Sequence, residues 1–191
     1  LRVAAERGAA ADVETAVGCL ANDADRRKLQ PGLAAALRCR ANLLMDRVTV
    51  ADGEVRSWPW ASDGDALAAL ARWRLGRSRT GDVEAMEAFL PVAGDGASEA
   101  ALALAAALLA SGRAEEAARR ARSVLESLDW EARRSLERRQ QLLLAKGLLA
   151  KALLGAGRVD EARAVAAALG KESRPGLLFS NLAAEVLAAA R

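Results

Sequence analysis

Two stretches of the chain, Ala101 to Glu126 and Lys146 to Gly170, repeat one another at a separation of 45 residues. Their shared core is Leu104-Ala105-x-x-Leu108 leading into Gly112-Arg113-Ala114-Glu115-Glu116-Ala117, matched by Leu149-Ala150-x-x-Leu153 and Gly157-Arg158-Val159-Asp160-Glu161-Ala162. In each copy apolar residues recur at helical spacing on both sides of a glycine, which predicts two helices folded back on one another. A hairpin of this kind cannot bury its apolar face alone and must stack on neighbours. Such arrays usually work by holding a partner.

The interior available to this array is unusual. Just over half of the 191 residues are apolar but only 3% are aromatic, so Ala, Leu and Val must build the core. Small side chains let helices approach closely and spread modest burial over many contacts. The net charge of +3 is too small to drive phosphate binding by itself, and a nucleic-acid partner is not favoured. Arg, Glu or Lys interrupts every apolar run, so no membrane span is expected. A cytoplasmic location follows, or a periplasmic one if a leader has been removed; the chain starts at Leu1, which suggests a fragment of a larger protein.

Along the chain, hairpins are expected at about residues 1–21, 64–91, 98–128 and 130–170, with a capping helix at 175–190, all in one domain. Ser98 is a natural N-cap for the third hairpin, and Asp129 for a helix of about 25 residues in the fourth. Gly170 should end the last of these helices. Pro31 sets the start of a further helix from about Leu33 to Met45, but no returning helix is expected after it. Residues 48–62 instead read as an irregular insertion or small β-hairpin, because Val48, Val50 and Val55 surround Asp52-Gly53, a strong two-residue turn signal. Trp58 and Trp60 would anchor this insertion on bare helix, or else offer a peptide-recognition surface.

The residues around Gly112 and Gly157 resemble the tetratricopeptide repeat. That family places a small residue in the first helix, a glycine at the turn, and a small residue five positions later. Ala105 and Ala150 match the first site, Gly112 and Gly157 the turn, and Ala117 and Ala162 the last. Ala121 and Ala166 depart from it where an aromatic is common, and the 45-residue spacing exceeds the usual 34. The resemblance implies an all-α solenoid of antiparallel hairpins whose concave groove is lined by the first helix of each. On that basis Leu102, Ala106, Leu109, Ala110, Leu144, Lys151 and Leu154 would form an apolar groove for a helical or extended peptide. The opposing reading is that these leucines pack on the chain's own helices, on a terminal helix folded into the groove, or on a second copy in a homo-oligomer.

Little points to catalysis. Histidine and tyrosine are absent, which removes imidazole bases and His metal ligands. Cys19 and Cys39 sit in apolar contexts and read as buried free thiols, with nothing beside them to complete a metal site. Glu115-Glu116 and Asp160-Glu161 suit the first turns of helices and should pair with Arg downstream. The basic run Arg133 to Arg139, interleaved with Glu, reads as a solvated face. No cofactor or metal is expected. The sequence thus points to a non-catalytic scaffold or adaptor that binds a protein or peptide. The alternative is a sensory or regulatory arm of a transcriptional regulator or signalling enzyme whose effector domain lies outside the chain.

Overall fold

A computed structural model of the chain describes residues 15, 18, 19, 31–57, 65–94, 97–128 and 135–191. All regular structure among them is helical, and they contain no strand. The helices are α1 (Pro31–Leu44), α2 (Val48–Ser57), α3 (Ala66–Arg74), α4 (Asp82–Phe89), α5 (Ala97–Ala110), α6 (Ala114–Leu128), α7 (Leu136–Gly155), α8 (Val159–Glu172) and α9 (Leu178–Ala189). A short 3-10 turn, Leu90–Val92, carries Pro91 and follows α4.

The connections from α1 to α2, α3 to α4, α5 to α6 and α7 to α8 begin alike, although the second runs on to Gly81. At the third, the amide of Gly112 donates to Leu109 O at 3.1 Å and that of Arg113 to Leu108 O at 2.9 Å. Gly157 and Arg158 make the same two bonds to Leu154 and Leu153, Gly76 and Arg77 to Trp73 and Arg72, and Asp46 and Arg47 to Leu43 and Asn42. This crossed pair of bonds ends a helix through one residue at positive φ, which glycine adopts without a Cβ penalty. Gly112 and Gly157 stand at φ +77° and +76°; Asp46 holds the equivalent place at +53°.

The turns pair α1 with α2, α5 with α6 and α7 with α8, while α4 packs on α5, and the helices fall into an inner and an outer set. Helices α1, α3, α5, α7 and α9 are the inner layer, in which α5 packs against both α3 and α7, and α7 against α9. From Ala100 to Ala110 helix α5 is apolar on all sides, and every residue from Ala100 to Leu108 is buried. Helix α6, in the outer layer, buries Ala117, Ala118, Ala121, Val124 and Leu128 on one stripe and keeps Arg119 exposed. Helix α1 touches both α3 and α9, so contacts among the inner helices run in a ring.

Several expectations are corrected. Residues 48–57 form α2, the returning helix that the sequence reading lacked, and not a hairpin of strands. Val48, Ala51 and Val55 fall on one helical face against the core, and that burial outweighs the turn preference of Asp52-Gly53. Asp52 instead pairs with Arg56 one helical turn on, at 2.6 Å. Trp58, Trp60 and the proposed Asp129 cap lie outside the described residues, as do residues 1–14 of the first expected hairpin. Ser98 lies within α5 and accepts from Arg138 instead of capping the helix. Gly170 is interior to α8, which runs on to Glu172. Close packing at α7 depends on Gly147, where a Cβ would come within 2.8 Å of Leu182 Cδ1.

Candidate functional site

The ring of inner helices borders a partly open chamber of about 50 Å³. Its walls are Leu43, Leu44, Leu67, Leu70, Leu102, Leu144, Leu178 and Phe179, drawn from all five inner helices. At one end stand Arg40, Glu99, Glu137, Gln140 and Gln141. The Arg40 guanidinium donates to Glu99 at 2.5 Å and to Glu137 at 2.6 Å, which ties α1 to the beginnings of α5 and α7. Burial pushes the Glu99 carboxyl above its usual range, and Arg40 pulls against that. Gln141 Oε1 accepts from Arg138 at 3.1 Å. Gln140 is 6% exposed, and its Nε2 has no hydrogen-bond partner.

A second, open cleft of about 540 Å³ lies toward the C-terminal ends of α3, α5 and α7. Trp73, Leu109 and Ala110 give it an apolar wall; Ser78, Arg74, Lys151 and Glu185 give it a polar one. Glu185, on α9, accepts from Arg74 at 2.6 Å and also from Lys151. The hydrogen bond from Arg74 holds the Glu185 carboxyl down at about 2, against the opposing effect of burial and with the help of Lys151. Trp73 and Arg74 border both spaces and separate them.

The residues expected to share one groove are distributed between these spaces. Leu109, Ala110 and Lys151 line the cleft, while Leu102 and Leu144 line the chamber. Leu102 and Ala106 have no exposed surface and offer none to a partner. Leu154 is half-buried against the core. Ala105, Ala117, Ala150 and Ala162 are buried where helices cross, and Gly112 and Gly157 form turns.

Trp73, Arg74, Gln140, Phe179 and Glu185 were not anticipated. The signal for the first two is in the register of the turns. Trp73 stands three residues before Gly76, as Leu109 does before Gly112 and Leu154 before Gly157. Four turns share one dipeptide pattern, Asp46-Arg47, Gly76-Arg77, Gly112-Arg113 and Gly157-Arg158, and aligning on it assigns Trp73 to the same wall as Leu109.

The other candidate groups are engaged structurally. Glu116 and Glu161 each accept two hydrogen bonds of 2.7 Å, from Arg113 and Arg158 respectively. Those arginines precede the acids, whereas Asp160 pairs with Arg163 downstream of it at 3.2 Å. Both cysteines are free, but Cys19 is exposed; an apolar sequence context did not bury it. Cys39 is fully buried, and desolvation pushes its thiol up to about 12. Among the described residues no group of three or more His, Cys, Asp or Glu is placed to hold a metal, and no helix is long and apolar enough to cross a membrane. Comparison with family models, curated proteins and solved structures returns no match for this chain.

Proposed function

We propose that the chain is a non-catalytic interaction module, an α-solenoid of antiparallel hairpins similar to tetratricopeptide repeats, that receives an extended peptide in the open cleft. The observation that carries this reading is the convergence of equivalent positions of successive hairpins on one wall. Trp73 of α3 and Leu109 of α5 hold the same register and line the cleft together, with Ala110 and Lys151 beside them. The mixed lining suits an extended segment whose alternate side chains are apolar and polar. Its ionisable groups Arg74, Lys151 and Glu185 are spent on one another, an arrangement suited to holding and not to proton transfer.

Selection from a displayed library of random peptides tests this directly. Peptides enriched on the wild-type protein should be lost on Leu109→Glu, which puts a charge on the apolar wall, and retained on Arg119→Glu on α6. Equal enrichment on Leu109→Glu would remove the cleft from consideration. A second reading, a sensory arm whose effector domain lies outside this chain, is favoured by one observation: the unsatisfied amide of Gln140 beside the apolar chamber.

A further inference from the structure

We infer that the chamber inside the ring is a binding site for a small neutral molecule, mostly hydrocarbon and bearing one hydrogen-bond-accepting oxygen. This goes beyond the peptide cleft and does not depend on it. Three observations lead to it. The first is size: at 10–15 Å³ for each water-sized position, a chamber of about 50 Å³ admits roughly three to five non-hydrogen atoms. The second is the wall, in which leucines from α1, α3, α5, α7 and α9, with Phe179, leave a predominantly hydrocarbon surface.

The third is the Gln140 amide. The residue is more than nine-tenths buried and lines the chamber as well as a further cavity of about 170 Å³ toward Ser173 and Arg174, and its Nε2 donor is left without an acceptor. Leaving a buried donor unmade is expensive, so native proteins rarely keep one without a use. Of the neighbouring polar groups, Arg40 is committed to Glu99 and Glu137, and Gln141 Oε1 to Arg138. A single carbonyl or hydroxyl oxygen on a short hydrocarbon satisfies the amide and fills the remaining space. Charge selects against ions. One guanidinium faces two carboxylates at this end, which repels an anion, and those carboxylates already hold Arg40 in place of an incoming cation.

The probe is 2-butanol, followed through leucine methyl resonances of the full chain. Saturable shifts are expected at Leu67, Leu70, Leu102 and Leu144. Gln140→Met, similar in shape but lacking the amide, should weaken 2-butanol about fivefold, the worth of one hydrogen bond, and leave xenon uptake unchanged. Leu144→Phe should fill the chamber and abolish both. Absence of saturable shifts in the wild-type protein would overturn the inference, as would equal 2-butanol affinity in Gln140→Met. If that variant does not fold, Gln140→Asn withdraws the amide by one methylene and should show the same loss. Unchanged shifts in a folded Leu144→Phe protein would also refute the site, whatever the outcome of peptide selection on the cleft.

Discussion

Asp46 and Arg74 are joined by two parallel hydrogen bonds of 2.9 Å, made by a carboxylate whose own backbone occupies a place that three other turns give to glycine. The same carboxylate accepts from Asn181 Nδ2 at 2.7 Å, so one turn residue connects α1, α3 and α9. Conformation and contact therefore pull in opposite directions at position 46. Asp46→Gly should relieve left-handed strain yet destabilise the protein by about 1–2 kcal/mol, because charge-assisted bonds outweigh the relief. In an Arg74→Met/Asn181→Leu background the same change should become neutral or stabilising. Urea unfolding midpoints of the four proteins measure the reversal, and an unchanged sign would refute it.

Arg72 and Asp82 form an ion pair between α3 and α4, with bonds of 3.2 and 2.6 Å and side chains only 11% and 4% exposed. Removing one partner leaves a buried charge uncompensated. Asp82→Ala should cost about 3–5 kcal/mol, whereas Arg72→Met/Asp82→Leu should cost far less, because it removes both desolvation penalties. The residual loss reflects the Arg79 amide, which also donates to Asp82. A double-mutant cycle in urea supplies the comparison, and additive losses would contradict it.

Glu185 sets a pH dependence of definite sign. Its carboxyl lies at about 2 in the folded chain against an ordinary 4.5, so the unfolded chain binds more protons between those values. Its contribution is present above pH 4.5 and is lost as pH falls toward 2. The stability difference between wild type and Glu185→Gln should therefore shrink from pH 6 to pH 3. A difference constant across that range would rule out the assignment.

The two thiols should separate in reactivity. Cys39 is fully enclosed and its thiol is raised to about 12, while Cys19 is exposed. A thiolate-specific reagent at pH 8 should titrate one group per native chain rapidly and the second only after denaturation. Two fast groups in the native protein would mean that α1 opens readily.

Helical class and the two best hairpins were legible because Gly112 and Gly157 sit between strongly periodic apolar runs. Helix α2 was not, since Asp52-Gly53 carries a local turn preference, and only packing of Val48, Ala51 and Val55 on the core reveals which tendency prevails. Asp46 concealed the first turn, because an aspartate at positive φ looks like any surface acid until its partners are known. The division of the inner face into chamber and cleft was equally hidden. It depends on Trp73 and Arg74 meeting α9 across the ring, and no local pattern encodes a meeting between segments so far apart.

The bond from Asn181 to Asp46 spans 135 residues, and this distance orders the birth of the molecule. While the chain is being synthesised, hairpins completed early find their immediate neighbours, but α1 lacks its last companion until α9 has left the ribosome. Leu44 of α1 shares one apolar cluster with Leu178 and Phe179 of α9, so the cover these three give one another can come only after α9 has been made.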